Sequence, residues 1–335
     1  MPKPNDAMQQ ILDAHAAMGP LPIELMTVEN ARQIPLLDRA ALAVYGQHFT
    51  KRALAPMPLP VGKVEHRMIP QANHEQMLRI YTPKGDAPKG GWPVIVYYHG
   101  GGWVLATLDT YDASARALCE GAQAIVIAAD YRQAPEYIWP AAHEDALNAY
   151  QWACENARQL NGTPKKIAVA GESAGGNMAA VVCLMARDKG LPLPIHQLLV
   201  YPVTDLAEGP DSASARTNRN AKPLNTDMLR WFYDKYVPLA SDRTDPYVSP
   251  FYGELAGLPS ATVILAEIDP LRTEGQRYAE KLKLAKVPVH LQQYDGVTHE
   301  FFGLGGLLSE ATDAVKLACE QLQHAFAEER ARNAA

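Results

Sequence analysis

Ile167 to Ala170 is apolar at four successive positions rather than at alternate ones. A strand of that kind is covered on both faces, which is the habit of a parallel sheet. It runs straight into Gly171-Glu172-Ser173-Ala174-Gly175, and the stretch from Gly176 to Arg187, rich in Ala, Met, Leu and Val, reads as a helix. A serine placed there sits on a tight strand-to-helix turn, with flanking glycines that allow close backbone approach. The hydroxyl is lifted clear of the sheet beside a helix N-terminus, where backbone N–H groups favour negative charge.

The same alternation recurs along the chain. Strand-like runs lie at Val64–Ile69, Met77–Tyr81, Pro93–Tyr98, Ala124–Ala129, Ile167–Ala170, Gln197–Tyr201, Thr262–Ala266 and His290–Tyr294. The first two read as an antiparallel opening. Helices are expected at Asp109–Gly121, Ala141–Leu160, Ala174–Asp188, Thr273–Ala285 and Ser309–Ala331. Strands alternating with helices imply a mainly parallel sheet covered on both faces. Two stretches stand outside this pattern. Residues 1–50 look helical and amphipathic, with Asp6–Met18 and Val28–Tyr45 separated by a Gly-Pro-Leu-Pro break at Gly19 to Pro22. Residues 206–247 are polar and irregular, with a helix-like piece around Met228 to Tyr236.

The 335 residues, 47% apolar and 20% charged, suit a soluble globular protein able to bury a dry site. A net charge of -6 argues against nucleic acid or an anionic membrane as the main partner. Cys119, Cys154, Cys183 and Cys319 form no C-x-x-C pair and sit in apolar stretches, as buried free thiols do. With no apolar signal segment near the N-terminus and no run long enough for a membrane span, a cytoplasmic protein is expected.

Three more segments carry chemistry. His99-Gly100-Gly101-Gly102-Trp103 follows a strand, where consecutive glycines let the backbone aim N–H groups inward at a developing oxyanion. No Lys-Ser/Thr pair follows, so a phosphate loop is disfavoured, and His99 reads as a structural residue that orients the loop. Asp269 lies at the end of a late strand, where a carboxylate can orient an imidazole. His299 lies in a loop after the last strand. The order Ser173, Asp269, His299 is that of α/β-hydrolases. Glu267, Asp295 and Glu300 rival Asp269 for the acid role. Strand alternation turns Glu267 away, and Asp295 and Glu300 stand too near His299 in sequence to approach its ring freely. No histidines show metal-ligand spacing, and no metal is expected.

His99 to Trp103, Asp130 to Glu136, Pro140 to Ala146, Gly171 to Gly176, Asp269 to Arg272 and His299 together resemble the hormone-sensitive-lipase-like (bacterial family IV) esterases. The likeness runs from about residue 60 to the C-terminus. It implies an α/β-hydrolase core, residues 51–205 and 248–335, under a helical cap built from residues 1–50 and 206–247. It implies a carboxylesterase acting on short- to medium-chain acyl esters, with Ser173 as nucleophile, His299 as base and Asp269 as its partner. It also implies that the N–H groups of Gly101, Gly102 and Ala174 form the oxyanion hole and that no cofactor is needed. Asp130, Arg132 and Glu136 are implied to be structural, in a turn that supports the glycine loop. The chain departs from the family pattern at Glu300, where glycine is common, and at Thr273, where an acidic residue is common.

Trp103, Trp231 and Phe232 are candidate substrate-binding aromatics. Leu21, Met26 and Tyr233 join Trp231 and Phe232 as residues that either wall an acyl pocket or pack the cap onto the core. The same triad serves amide as well as ester cleavage, so an amidase or peptidase stays open. A non-catalytic small-molecule receptor on this fold would lack the histidine that stands here at 299. The last strand is expected at an open sheet edge, which either pairs with a second copy or is blocked by the C-terminal helix.

Overall fold

The computed structural model describes residues 2–52 and 58–332. The boundary expected at residues 50 and 51 abuts residues 53–57, which lie outside the described residues. In chain order the elements are α1 (Asp6–Ala17), α2 (Val28–Ala31), α3 (Leu37–Arg52), β1 (Lys63–Pro70), β2 (Glu75–Thr82), β3 (Trp92–Tyr98), α4 (Asp112–Ala122), β4 (Ile125–Ala129) and α5 (Ala141–Asn156). They continue with β5 (Gly162–Glu172), α6 (Ala174–Asp188), β6 (His196–Val200), α7 (Ala213–Thr217), α8 (Thr226–Tyr236), β7 (Ser260–Ile268), α9 (Arg272–Leu284), β8 (Val289–Thr298) and α10 (Ser309–Arg332).

The eight strands form one sheet in the order β1-β2-β4-β3-β5-β6-β7-β8. β1 and β2 form the expected antiparallel opening, β2 meets β4 antiparallel, and every pairing from β4 to β8 is parallel. Strand periodicity sorts the core into two halves. Val94, Val96, Tyr98, Val169 and Leu199 face one way and pack with residues of α5, α6, α8 and α9. Ile95, Tyr97, Ala168, Ala170 and Leu198 face the other way and pack with α4, α10 and the N-terminal helices through Met8, Ile11, Leu37 and Val44. Each fully buried Leu, Ile or Val contributes about 1.5–3 kcal/mol relative to its exposed state, so both faces of β3 and β5 are anchored strongly.

The expected Val28–Tyr45 helix is broken in two. Pro35 has no N–H to give and disfavours helical backbone at Ile34, so α2 ends at Ala31 and α3 begins at Leu37. The stretch 206–247 holds more order than its polar composition suggests. Ser212 caps α7 by accepting from Ala215 N at 3.2 Å, and Asn225 caps α8 by accepting from Met228 N at 2.8 Å. Asn225 Nδ2 also donates to Glu24 Oε1 at 3.1 Å, which joins this stretch to the N-terminal segment. Cys119, Cys183 and Cys319 are buried, Cys154 is half-buried, and all four are free thiols. Among the described residues no helix is long and apolar enough to cross a membrane.

Candidate active site

Ser173 occupies the turn between β5 and α6 with φ 58° and ψ -119°. A non-glycine residue in that region carries strain of about 1–3 kcal/mol and persists only where its surroundings enforce it. The enforcement is visible. Ser173 N donates to Val200 O at 2.9 Å, and Asn177 N donates to Ser173 O at 3.0 Å. A Cβ on Gly175 would collide with the Tyr98 carbonyl at the end of β3, so the turn is held against the sheet.

The parallel strands deliver the remaining candidates to the same end of the sheet. Asp269 follows β7, His299 follows β8, and the glycine loop follows β3. His299 Nδ1 lies 2.7 Å from Asp269 Oδ2, and His299 Nε2 lies 2.9 Å from Ser173 Oγ. A carboxylate only accepts, so Nδ1 carries the proton and Nε2 presents its lone pair to the serine hydroxyl. Asp269 is fully buried, and its other oxygen accepts from Leu271 N at 2.8 Å. Burial by itself would lower the His299 pKa, but the Asp269 carboxylate, with Glu300 and Glu172 behind it, outweighs burial and holds the imidazole above its usual value.

Gly101 and Gly102 have φ 98° and 60°. A Cβ on Gly102 would overlap the Phe232 ring, which lies across the loop. Tyr131 Oη, 3.0 Å from both the His99 and Gly100 carbonyls, holds the loop from beneath. His99 stacks on Tyr131 with ring centroids 4.4 Å apart, and its Nδ1 donates to Gly100 O at 2.8 Å. Burial pushes the His99 pKa down to about 4, so the ring is a neutral brace. Ala174 opens α6, where the first N–H groups of a helix have no intrahelical partner.

The turn after β4 braces this loop as well. Arg132 engages both Asp145 oxygens at 2.8–3.1 Å. Glu136 takes Arg32 at 2.7 and 2.8 Å. His143 is a satisfied core histidine, accepting from Tyr236 Oη at 2.7 Å and donating to Asn177 Oδ1 at 2.8 Å.

A cavity of about 320 Å³ opens over Ser173 and His299. Val203, Leu224, Met228 and Leu229 line one side, with Phe232 and Tyr233 beside them, and Ile34, Leu37, Asp38 and Leu42 line another. The three aromatics named from the sequence fare differently. Phe232 faces the cavity. Trp103 borders it but is fully buried, its ring stacked on Tyr236 at 4.7 Å. Trp231 is not part of the lining. Residues 228, 229, 232 and 233 share one face of α8, and Trp231 points off that face, edge-on to Phe232 with the Lys235 ammonium 5.7 Å from its ring. Leu21 is solvent-exposed and Met26 packs against the core away from the lining, whereas Tyr233 does line the cavity.

Glu267 turns away as expected, accepting from Gly296 N at 2.8 Å. Asp295 is exposed and accepts from Gln293 Nε2. Glu300 overturns its expectation. With φ 70° its side chain folds back, and Glu300 Oε1 lies 3.8 Å from His299 Nε2. Tyr111 Oη donates to that carboxylate at 2.6 Å. Tyr111 carried no signal in the sequence, since its partner is 189 residues away. Glu172, the residue before the serine, is buried and accepts from Tyr97 and Tyr201 at 2.5 Å each; burial raises its pKa to about 7 against these hydrogen bonds.

The sequence pattern of the α/β hydrolase fold matches residues 95–303. The carboxylesterase NlhH of Mycobacterium tuberculosis is 40% identical over 278 residues, covering 81% of this chain and 85% of that protein. The ethyl acetate hydrolase of Pseudomonas putida is 36% identical over 320 residues, covering 95% and 96%. A solved esterase from Pyrobaculum calidifontis superposes with a TM-score of 0.84 at 35% identity, covering 96% of this chain and 98% of that one. The chain therefore belongs to the hormone-sensitive-lipase-like group of the α/β-hydrolase fold family and is a carboxylic ester hydrolase.

Proposed function

We propose that Ser173 attacks the ester carbonyl as His299 takes its proton, with Asp269 stabilising the imidazolium that forms. The carbonyl oxygen becomes an oxyanion held by the N–H groups of Gly101, Gly102 and Ala174. His299 then protonates the departing alcohol, leaving an acyl-serine, and later activates water to release the acid. The observation that carries this reading is the chain from Asp269 Oδ2 through His299 to Ser173 Oγ, with links of 2.7 and 2.9 Å. Ser173→Ala should abolish turnover of a short p-nitrophenyl ester and labelling by an organophosphonate, with the circular dichroism spectrum unchanged. Turnover near the wild-type level in that variant would refute the assignment.

Residues 1–50 and 206–247 act in this reading as a cap over a core of residues 51–205 and 248–335. Support comes from the cavity, which both stretches line together with Ser173. The family likeness implies a preferred acyl chain of roughly two to eight carbons, and the apolar lining supplied by Met228, Leu229 and Phe232 supports an acyl site beside Ser173. A chain-length series peaking at long-chain triglyceride would contradict this. Among the described residues β8 pairs with β7 alone, and that edge supports a homodimer, which sedimentation velocity tests. Four free thiols support a reducing, cytoplasmic setting.

A further inference from the structure

We propose that Glu300 is a positioning residue of the reaction: its carboxylate stands beside the His299 nitrogen that protonates the leaving group, and it biases the enzyme toward esters of alkyl alcohols over esters of phenols. The inference rests on the triad reading above and adds a role that the triad does not need.

The geometry has three parts. Glu300 Oε1 is 3.8 Å from His299 Nε2, too long for a hydrogen bond, so it acts through charge and leaves Nε2 free for Ser173 and then for the leaving oxygen. Tyr111 Oη fixes the carboxylate at 2.6 Å. The Tyr111 hydroxyl is itself confined, since a Cβ on Gly100 would collide with it. The carboxylate also lines the cavity, with its side chain 27% exposed.

When the tetrahedral intermediate collapses, the C–O bond breaks and its electron pair moves to the leaving oxygen. An alkoxide is too basic to leave unprotonated, so the proton on Nε2 passes to that oxygen as the bond breaks. A phenolate leaves with its negative charge intact. Glu300 acts differently on the two. It stabilises the imidazolium that attack on either ester forms, which only an alkyl leaving group needs as proton donor when the C–O bond breaks, and it repels a phenolate forming beside it. Both effects favour the alkyl ester.

Asp269 and Glu172 act on His299, and the Tyr201 ring lies 4.5 Å from the imidazole. Tyr111, Asp38 and Asp269 face Glu300, and Glu172, Tyr97, Tyr131 and Tyr201 lie within its field. Burial raises the Glu300 pKa, with His299 and Tyr111 opposing, so the comparison is run as a pH series rather than at a single pH.

The test compares kcat/KM for ethyl butyrate and 4-nitrophenyl butyrate in the wild type, Glu300→Gln and Glu300→Gly. Glycine suits the φ of 70° at this position and guards against a folding defect in the glutamine variant. The alkyl-to-aryl ratio should fall roughly five- to tenfold in both variants, the scale of one proton-equilibrium unit, and the acid limb of kcat/KM should move to lower pH. Tyr111→Phe, which frees the carboxylate, should shift the ratio the same way by less. Equal losses on both esters with an unmoved acid limb would make Glu300 merely structural and overturn the proposal. Ser173→Ala serves as the separate control: silence on both esters keeps the triad reading whatever Glu300 does, and persistent turnover sinks that reading itself.

Discussion

Arg32, between α2 and α3, grips Glu136 through two bonds at 2.7 and 2.8 Å while its remaining donors take the carbonyls of Val104 and Ala134 at 2.9 Å each. One side chain therefore ties the N-terminal segment to the turn after β4 and to the loop that follows the three glycines. The ion pair is partly exposed, and exposed pairs contribute little. The two carbonyls are the larger part, since a charged donor to a buried acceptor is worth about 1.5–3 kcal/mol. Arg32→Ala should lower the thermal midpoint by an amount equivalent to about 2 kcal/mol and reduce kcat/KM, whereas Glu136→Gln should cost less than half of that. Equal melting curves for Arg32→Ala and the wild type would show that the clasp is idle.

Much of this arrangement is legible in the sequence, for a physical reason. The elbow at Ser173, the glycine loop and the late acid and histidine are each written in a few consecutive residues. The parallel order of the strands then carries them to one end of the sheet. What escaped was set by packing between distant segments. Trp231 and Phe232 are neighbours of equal appeal in the sequence, and the facing of α8 separates them. Glu300 reaches the His299 ring despite its nearness in sequence because its backbone is left-handed, a conformation with no local signature at a non-glycine residue. Tyr111, Arg32 and Asn177 find their partners only in three dimensions. At Pro35 the missing N–H outweighs the helical composition on either side, so one expected helix becomes two.

Asp269 is buried with its two oxygens committed to His299 Nδ1 and Leu271 N. Asn in its place keeps the shape and can present its amide N–H to the ring, which then holds the wrong tautomer and loses its lone pair toward Ser173. Asp269→Asn should reduce kcat by about 10³–10⁴, the scale seen when a triad carboxylate is neutralised. The variant should still fold and bind a substrate analogue. Steady-state kinetics with a calorimetric binding control checks this, and a loss smaller than tenfold would return the acid role to another carboxylate.

Gly102 and Phe232 occupy the same space from opposite sides. Gly102→Ala places a methyl where the ring now sits and asks alanine to hold a φ of 60°. The loop must move, and its N–H groups move with it. The expected loss in kcat is about 10²–10³, the cost of one misplaced oxyanion donor. Phe232→Ala alone should widen the cavity and shift the acyl preference to longer chains. In the double variant the methyl finds room and part of the Gly102→Ala loss should return. Losses that simply add would show that strain at φ, rather than the clash, is responsible.

Glu172 ties stability to pH. Its carboxyl is buried between Tyr97 and Tyr201, and burial raises its pKa from the ordinary 4.5 to about 7. A carboxyl with a raised folded pKa favours folding only while it is neutral. Below pH 4.5 both folded and unfolded chains hold the proton and there is no penalty. Between 4.5 and about 7 the unfolded chain ionises first and stability falls, and above 7 the full penalty applies. A difference of about 2.5 units corresponds to about 3 kcal/mol. Glu172→Gln, which cannot ionise, should therefore gain stability relative to the wild type as the pH rises from 5 to 8. Urea denaturation of both proteins at the two pH values checks this, and a wild-type disadvantage that is the same at pH 5 and pH 8 would show that the buried carboxyl does not titrate in this window.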